Sequence, residues 1–509
     1  MERDIVIVGA GATAISVFVR LVECDGIAGI RLVDPRPAGL GTAFGTTDPA
    51  LLCNTSADVT SLDPEGASDL VAHLASRGWP VAPGDFVPRF LVGQYCRERY
   101  QDARRRALAR GIRVEQVRAR AVTVEARSAP GGRYGVVLDD GTRLGADDVL
   151  LCQGLERPNV PALVRPHLAD PRLLASPYPV GRLTALPTSA RVLVLGSKLS
   201  AVDAALVLCR DGRNVTLASR SSQLPAVRTR LVRPVHPRDE APADPGGAGG
   251  AGGDATGLDA FARHVRRQPA PGAPGARARL DHEAALAAAG QVPWQDRVAE
   301  VIDRVNEVTA DWSPADRAAV LARHGEPVSR YISSIPLRNA RLLQHHLAKE
   351  TLVLADGFPS SVTAGPGGWR VRWADGSEGH FDHIVCATGF LRPTAVVRPG
   401  EAALHLDGPG EDRGVGEARE PEVTGRLRLR LAPGGPEERI WVLGPSAHPR
   451  TAIVNYLRTA ALHARDVAAQ FTGPTPTSAA ATEPAAPGPY PAPAPVPTAV
   501  SALQEGPTP

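Results

Sequence analysis

The sequence predicts an α/β protein built from two Rossmann-like domains, one inserted into the other. Two observations lead to this fold. First, two short apolar runs each end in a glycine-rich turn that opens a helix, one at Gly9 and the other at Gly196. Second, the same supersecondary ending occurs at residues 131–158 and 367–393, as a strand, an Asp-Gly hairpin, a return strand and a buried apolar strand. One Rossmann-like domain with a second domain of the same fold inserted into it explains both observations.

The composition is that of a multidomain globular protein. Of the 509 residues 43% are hydrophobic, which is enough for at least two cores. The formal net charge of +3 gives no indication of nucleic acid or an anionic membrane as a partner. The six cysteines form no C-x-x-C pair, as in a reducing compartment, and no signal sequence or membrane-spanning run is recognisable. We therefore expect a cytoplasmic protein.

The chain divides into segments by composition. Residues 234–278 are dominated by Gly, Ala, Pro and Arg and are predicted to be an inserted surface loop, and residues 473–509 a disordered Pro/Ala-rich tail. Neither segment carries enough apolar side chains to offset the entropy of ordering. The outer domain is predicted to comprise residues 1–170 and 386–472, and the inserted domain residues 171–385.

The first glycine turn has the features of a dinucleotide-binding fingerprint. Gly9 permits a tight turn after the first strand, and Gly11 lets the backbone approach a pyrophosphate. Ala14 is small enough for the helix to pack closely on the strand, and the first N–H groups of that helix face the phosphates. Asp34 ends the second strand, where a carboxylate accepts hydrogen bonds from ribose hydroxyls. The pattern predicts a dinucleotide, NAD or FAD, because both carry the same ADP half.

The second glycine turn departs from the fingerprint at one position. Gly196 follows an apolar strand, but Lys198 occupies the place of the second glycine. Its Cβ hinders a pyrophosphate at a cost of about 1 kcal/mol or more. Its ammonium can donate a charge-assisted hydrogen bond to phosphate, worth roughly 1.5 to 3 kcal/mol. Because the two effects are similar in size, weaker binding and altered binding both remain open.

The end of the next strand indicates which nucleotide the inserted domain prefers. Ser219 and Arg220 stand where the outer domain has Asp34. An acid repels a 2′-phosphate, whereas arginine pairs with it and serine donates a hydrogen bond to it. This predicts NADPH in the inserted domain. A large insertion with its own fingerprint is how flavin enzymes accept a second nucleotide, so the outer domain is expected to bind FAD.

These residues resemble the flavoproteins with two dinucleotide-binding domains, and among them bacterial FAD/NAD(P)-binding proteins related to flavin-containing and N-hydroxylating monooxygenases. The resemblance covers nearly the whole chain except the predicted loop and tail. Besides the first fingerprint, its markers are the segments GLGTAFGT (39–46), LLCN (51–54), FVPR (86–89), GQY (93–95) and ATGF (387–390).

The resemblance implies which residues surround the flavin. Gly41, Thr42, Ala43 and Asn54 are expected near it, and Gly389 in the turn that returns the chain to the FAD domain. The apolar strand IWVLGP (440–445) and the amphipathic run after it are expected to complete the FAD site. The sequence departs from the family pattern at Lys198 and at Gln153, where the family usually carries a small threonine.

The leading functional hypothesis is monooxygenation of an amine or other small nucleophilic metabolite, a reaction of secondary metabolism. NADPH reduces FAD, the reduced flavin binds molecular oxygen, and a peroxyflavin in a dry pocket transfers one oxygen atom. The flavin carries the difficult step, so no catalytic side chain is identified. Arg330 and Arg338 are candidates to clamp a substrate carboxylate, with a surface or interdomain salt bridge as the alternative role.

Two other functions remain open. An FAD-dependent dehydrogenase or oxidase would follow if Lys198 has abolished productive NADPH binding, and a non-enzymatic flavoprotein could act as a redox sensor. The absence of a redox cysteine pair argues against a disulfide reductase. His345 and His346 are adjacent on a predicted helix and face different directions, so no metal site is expected.

Overall fold

The computed structural model describes residues 2–64, 69–126, 133–231, 256–269, 271–272, 274–406 and 418–472. The strands are β1 Arg3–Val8, β2 Ile27–Val33, β3 Arg113–Val117, β4 Ala121–Glu125, β5 Tyr134–Leu138, β6 Arg143–Ala146, β7 Asp148–Leu151, β8 Leu173–Leu174, β9 Arg191–Leu195, β10 Asn214–Ala218, β11 Val227–Arg228, β12 Ile335–Pro336, β13 Leu352–Leu354, β14 Ser361–Gly365, β15 Gly368–Arg372, β16 Glu378–Phe381, β17 His383–Cys386, β18 Ala395–Val397, β19 Ala403–Leu406, β20 Glu422–Val423, β21 Leu429–Arg430 and β22 Ile440–Val442. The α-helices are α1 Ala12–Leu21, α2 Gly41–Phe44, α3 Asp69–Ser76, α4 Arg89–Ala109, α5 Gly181–Thr184, α6 Leu199–Arg210, α7 Leu258–Arg266, α8 Ala276–Ala288, α9 Val298–Val308, α10 Pro314–Arg323, α11 Leu337–Ala348 and α12 Leu457–Ala468.

The outer domain is organised around a parallel sheet in the order β22, β7, β1, β2, β3. The apolar strands β1 and β7 lie inside this sheet, which is why their sequences are nearly continuous hydrophobic runs. Helix α1 packs against α4 and α12. Because β22 comes from the end of the described chain, the two ends of the sequence build one domain around the inserted one.

The inserted domain repeats this plan. Its parallel sheet runs β13, β10, β9, β17, β8, and α6 follows β9 as α1 follows β1. In the outer domain the antiparallel strands β4, β5 and β6 precede β7, and in the inserted domain β14, β15 and β16 precede β17. Both β7 and β17 then pair with the first strand of their own sheet. The predicted repeat of the supersecondary ending is confirmed.

Each domain has its own large core, in agreement with the composition. The first surrounds β1, β2, α1 and α4, and the second surrounds β9, β10, α6 and the helices α7 to α11. A smaller cluster lies between the second sheet and the β14–β16 hairpin layer and includes Trp369, which is 1% exposed.

The prediction that residues 234–278 form a surface loop is wrong for the part that the structure describes. Residues 258–266 form α7, which buries Leu258, Phe261 and Val265 in the second core. Their spacing places all three side chains on one helical face, so a short segment of low overall hydrophobicity still buries an apolar stripe. Helix α8 also begins inside the predicted loop, at Ala276. Residues 232–255 and the predicted tail 473–509 lie outside the described residues.

Candidate functional site

The first glycine turn is held by backbone contacts from three parallel strands. The Gly9 N–H donates to the Val33 carbonyl on β2 at 2.8 Å. Gly9 has a φ of +107°, and a Cβ there would lie 2.5 Å from the Cys152 carbonyl oxygen at the end of β7. Only glycine fits this position. Ala14, one turn into α1, is fully buried against the sheet.

The start of α1 lies close to the backbone of the segment that begins at Gly41. Gly11 is the N-cap residue, and no side chain caps the helix. Opposite it lies Gly41, which has a φ of +55°; a Cβ on Gly41 would be 3.2 Å from the Gly11 Cα. Thr42 and Ala43 continue from Gly41 into the short helix α2. The uncapped N–H groups and the two glycines fit an approaching pyrophosphate.

Asp34 ends β2 beside this turn, and its carboxylate is fixed from two sides. One oxygen accepts the Ala10 N–H at 3.0 Å, and the other accepts the backbone N–H and Nε of Arg36 at 2.8 and 3.2 Å. Arg36 also binds Thr42 Oγ1 and Glu156. Burial alone would lower the pKa of Arg36, but Asp34 and Glu156 outweigh it and raise that pKa. Arg36 is therefore a permanent cation beside the predicted ribose-binding acid.

A cavity of about 500 Å³ opens beside Asp34, a size suited to part of a dinucleotide. It is formed by the first turn, the end of β2 and the loop that follows β7, and its lining residues are Val8, Gly9, Val33, Asp34, Pro35, Arg120, Ala121, Gln153, Gly154, Glu156, Arg157, Pro158, Asn159, Val160, Arg165, Leu168, Ala175, Leu391 and Pro393. Gln153, which departs from the family pattern, thus faces the cavity of the outer domain.

The two segments that connect the domains pair with each other. The Asn159 N–H donates to the Gly389 carbonyl at 3.0 Å, and the Leu391 N–H donates to the Arg157 carbonyl at 2.8 Å. Gly389 has a φ of +90° and lies in this crossing, between β17 and β18. Asn54 lies in the loop between α2 and α3, and its backbone carbonyl accepts a hydrogen bond from Arg228.

The second glycine turn has the same backbone arrangement as the first. The Gly196 N–H donates to the Ala218 carbonyl on β10 at 2.8 Å. Gly196 has a φ of +131°, and a Cβ there would overlap the Ala387 carbonyl oxygen at the end of β17. Lys198 is the N-cap residue of α6, and no side chain caps this helix either.

Two polar side chains at this turn have buried atoms without hydrogen-bond partners among the described residues, namely Lys198 Nζ and Ser219 Oγ. Burial and the nearby Arg330 lower the pKa of Lys198, and Glu326 opposes them. An unpaired buried polar group is unfavourable. Each of these atoms is a donor that an anion such as a phosphate group would satisfy, and Lys198 is itself the N-cap residue of the uncapped α6.

A second cavity, of about 550 Å³, lies beside Ser219. Its lining residues come from the second turn, β13 and the start of α8, and are Ser197, Leu217, Ser219, Ser222, Leu224, Pro274, Gly275, Ala276, Arg277, Ala278, Leu347, Glu350, Leu352, Val353, Leu354, Ala355 and Asp356. Arg220 is exposed, and its guanidinium carbon lies 5.8 Å from the centroid of the Phe358 ring. The structure thus brings Arg277, which the sequence analysis missed inside its predicted loop, to the same cavity as Ser219.

A buried ion pair joins the two domains behind the second turn. Arg89, the first residue of α4, lies 2.7 Å from the Asp203 carboxylate on α6, and their side chains are 12% and 4% exposed. The hydroxyl of Tyr178 contacts both groups, at 3.1 Å from Arg89. The Tyr178 ring stacks on Phe390, with 6.1 Å between centroids. Arg89 belongs to the FVPR segment (86–89), but no local sequence pattern indicates its pairing with Asp203.

The two arginines predicted to clamp a substrate have different surroundings. Arg330 is 3% exposed and pairs with Glu283, and its Nε donates to the Leu224 carbonyl at 3.2 Å. It therefore forms a buried ion pair within the inserted domain, and it also lines a cavity of about 300 Å³. Arg338 is exposed at the start of α11, and burial of part of its side chain lowers its pKa.

The cysteines and histidines of the described segments form no redox or metal centre. All six cysteines are buried and free, and burial raises the pKa of Cys53 to about 12, so its thiol stays protonated. No cluster of metal-ligating side chains occurs within the residues placed by the structure. Across those same residues no helix combines the length and apolarity needed to span a bilayer.

Comparison with known proteins identifies the outer nucleotide-binding unit. Residues 6–156 match the FAD-NAD(P)-binding family model. The comparison with curated proteins found no match.

Several solved structures share the whole arrangement. Ornithine hydroxylase from Pseudomonas aeruginosa is 13% identical, with a TM-score of 0.56 over 92% of this chain and 99% of that chain. The ornithine N-hydroxylase from Kutzneria sp. 744, solved with reduced FAD, NADP+ and L-ornithine, is 17% identical, with a TM-score of 0.57 over 92% and 99%. L-lysine 6-monooxygenase from Pseudomonas syringae is 14% identical, with a TM-score of 0.55 over 92% and 99%. These likenesses establish the fold, and the predicted pair of nested Rossmann-like domains is confirmed.

Proposed function

We propose that this protein is an FAD-dependent, NADPH-using monooxygenase that oxygenates an amine or another nucleophilic group of a small metabolite. The observation that carries the proposal is the second glycine turn, where the buried ammonium of Lys198 and the hydroxyl of Ser219 have no hydrogen-bond partner in the described part of the chain and helix α6 has no side-chain cap. A chain that kept the inserted domain only as a scaffold would have no reason to maintain unpaired polar groups there.

In this proposal the outer domain, residues 1–170 and 386–472, holds FAD. The pyrophosphate lies at the start of α1, beside Gly11 and Gly41, and Asp34 accepts hydrogen bonds from the ribose. Thr42, Ala43, Asn54 and Gly389 border the rest of the cofactor. Ala14 contributes only indirectly, because it lets α1 pack on the sheet.

The inserted domain, residues 171–385, holds NADPH. Lys198 donates to the nucleotide phosphates, and Ser219 with Arg220 or Arg277 binds the 2′-phosphate. The Arg89–Asp203 pair positions α6 against the outer domain. The paired segments at Asn159 and Gly389 fix the connection between the domains, so the two nucleotide sites keep a defined relation.

Bound FAD supplies the electron transfer between NADPH and molecular oxygen. The contribution of the chain is to bind, to orient and to exclude water from the site. The buried cysteines take no part, because their thiols are protonated and none forms a C-x-x-C pair. The solved structures of similar fold include proteins whose names specify ornithine or lysine, which supports an amine as the group that is oxygenated.

The proposal is tested on purified protein loaded with FAD. Under anaerobic conditions NADPH is expected to bleach the flavin absorbance, and Lys198→Met is expected to slow this at subsaturating NADPH. With ¹⁸O₂ and an accepted amine, one labelled oxygen atom is expected in the product. Reduction by NADPH without label in any product would contradict monooxygenation.

A dehydrogenase or oxidase that does not use NADPH is the second candidate, favoured by the Cβ that Lys198 places where the fingerprint has glycine. Bleaching by a substrate in the absence of NADPH, together with no bleaching by NADPH, would support it. If the protein retains flavin but neither reagent reduces it, a non-enzymatic redox sensor is favoured.

A further inference from the structure

Arg228, on β11, is a buried arginine with a single hydrogen-bond partner among the described residues. It is 2% exposed, and one terminal nitrogen donates to the Asn54 carbonyl. Its Nε and its other terminal nitrogen are buried and have no hydrogen-bond partner among the described residues. The described side chains provide no carboxylate that pairs with it. Burial lowers the pKa of Arg228 to about 10, and the nearby Tyr456 opposes this shift.

Arg213 provides the internal reference, because it is equally buried at 1% exposure. Its Nε donates to the Leu186 carbonyl at 3.1 Å, one terminal nitrogen pairs with Asp211 at 3.2 Å, and the other donates to the Thr184 carbonyl at 2.8 Å. All three nitrogens are satisfied, which is the normal state of a buried guanidinium. The two free nitrogens of Arg228 therefore require an explanation.

The strand that carries Arg228 is held firmly, so the free nitrogens do not result from a loose segment. The Thr229 N–H donates to Gln295 Oε1 at 2.8 Å, and the Leu231 N–H donates to Ser56 Oγ at 2.7 Å. The strand pairs in parallel with β12. Because Asn54 and Ser56 belong to the outer domain, Arg228 lies where the inserted domain meets it.

Tyr456 adds a second unpaired group to this junction. It is 5% exposed, and its hydroxyl has no partner in the described chain. Its segment is fixed by Asn306, which accepts the Ile453 N–H at 2.8 Å and donates to the Ile453 carbonyl at 3.0 Å. Tyr456 is also the N-cap residue of α12, the helix that packs on α1.

From these contacts we infer that Arg228 and Tyr456 form a binding site for a carboxylate carried by the small-molecule substrate. One carboxylate balances the single charge of one guanidinium, accepts hydrogen bonds from both free nitrogens, and accepts one from the tyrosine hydroxyl. A phosphate, with its greater charge, would be left under-compensated by a single buried cation. The inference deepens the proposed function and rests on it, since it names the class of substrate.

The first test needs no ligand. A buried cation without a bound anion destabilises the protein. The melting temperature of Arg228→Met is therefore expected to be no lower than that of the wild type. The matched variant Arg213→Met removes satisfied hydrogen bonds and is expected to melt several degrees lower. If Arg228→Met melts as low as Arg213→Met, Arg228 is a structural residue and the inference fails.

The second test uses matched probes on the FAD-loaded protein: glycine with methylamine, 4-aminobutyrate with propylamine, and L-ornithine with putrescine. Within each pair only the carboxylate differs. In at least one pair, the compound with the carboxylate is expected to bind about tenfold or more tightly than its matching amine, as measured by flavin difference spectra. Arg228→Met is expected to remove that preference. No preference in any pair, or a preference retained in the variant, overturns the inference.

Tyr456→Phe should weaken the same preference partially, without changing the amine controls. The flavin midpoint potential separates a substrate contact from a flavin contact. It is expected to be equal in wild type and Arg228→Met; a shifted potential with an unchanged carboxylate preference would assign Arg228 to the flavin. Reduction of the flavin by NADPH is measured separately. The proposed function can therefore hold when this inference fails, and this inference can hold when the proposed function fails.

Discussion

The two glycine turns have the same backbone arrangement and differ at the second position, which is Gly11 in one turn and Lys198 in the other. The N–H groups of Gly9 and Gly196 both donate to the neighbouring strand at 2.8 Å. A Cβ at either position would collide with the carbonyl oxygen of the residue that follows β7 or β17. Gly11 is different, because the nearest atom to a Cβ there would be the Gly41 Cα, at an ordinary 3.6 Å. The fold therefore requires the first glycine of each turn, whereas the second is required only by the ligand. Lys198 is compatible with the fold for this reason.

The helices after the turns differ in the same way. Counted from Gly9 and Gly196, Ser16 and Asp203 occupy the same position. Ser16 donates to the Leu62 carbonyl at 2.9 Å within its own domain. Asp203 pairs with Arg89 across the domain boundary. The outer domain holds its turn by itself, and the inserted domain depends on the outer one to hold α6.

Breaking the Asp203 contact is expected to have the largest effect. Asp203→Asn leaves the buried Arg89 without a charged partner, and loss of one member of a buried pair costs about 3 to 5 kcal/mol. The free energy of unfolding, measured in urea, should fall by that amount, and NADPH-dependent flavin reduction should weaken. Ser16→Ala is the control and should cost only about 1 kcal/mol. Equal, small losses of unfolding free energy in both variants would show that α6 depends on contacts with the other domain no more than α1 does.

The outer turn should be sensitive to acid through His463. Its Nδ1 accepts the Gly444 N–H at 3.2 Å, and Gly444 lies against Thr13 of α1. Burial lowers the pKa of His463 to about 4, although Asp466 opposes the shift. The unfolded chain binds this proton near pH 6.5 and the folded chain near 4, so stability is full above that window and falls as the pH drops through it, by on the order of 3 kcal/mol.

The measurement is the urea unfolding free energy between pH 4 and 7, compared in wild type and His463→Gln. The glutamine keeps a hydrogen-bonding side chain that does not titrate. Acidic groups elsewhere contribute equally to both proteins, so only the difference in slope reports on His463. Identical slopes would show that this histidine does not control the first turn.

Lys198 allows the two roles of the second position to be separated. Lys198→Met keeps the Cβ and loses the charge, and NADPH is expected to bind more weakly by roughly 1.5 to 3 kcal/mol. Lys198→Arg should retain most of the affinity. Because burial and Arg330 lower the pKa of Lys198, wild-type affinity should also decline at alkaline pH earlier than that of the arginine variant. FAD content is the control and should not change.

Lys198→Gly distinguishes a dominant effect of the lysine charge from a dominant effect of its Cβ. If the charge dominates, this variant binds NADPH as weakly as Lys198→Met. If the Cβ dominates, it binds more tightly than the wild type, and the inserted domain has then evolved away from NADPH.

Sequence patterns predicted the features that depend on neighbouring residues. The strands around Gly9 and Gly196, the repeated hairpins and the position of Asp34 follow from local apolar runs and turn residues. The pairing of Arg89 with Asp203 joins residues far apart in sequence, and no local pattern contains it. The free nitrogens of Arg228 were equally invisible, because burial without a partner is a property of packing.

Helix α7 was missed for a different reason. Its flanking residues are rich in glycine and proline, and averaging over residues 234–278 hid one apolar stripe. A search for the spacing of Leu258, Phe261 and Val265 would have found it. The same averaging hid Arg277.

The smallest expected effect concerns the 2′-phosphate and decides between Arg220 and Arg277. Arg277 lines the cavity beside Ser219, whereas Arg220 lies over Phe358. Arg277→Gln should therefore reduce the preference for NADPH over NADH about tenfold, a loss of roughly 1.4 kcal/mol, and Arg220→Gln should change it less. The measurement is the affinity for both nucleotides in each variant at fixed ionic strength, since exposed charges are screened by salt. The reverse ranking would return the role to Arg220, which directly follows Ser219, the residue that aligns with Asp34 of the outer domain. Both domains would then bind their nucleotides through the residues that directly follow the second strand of each sheet.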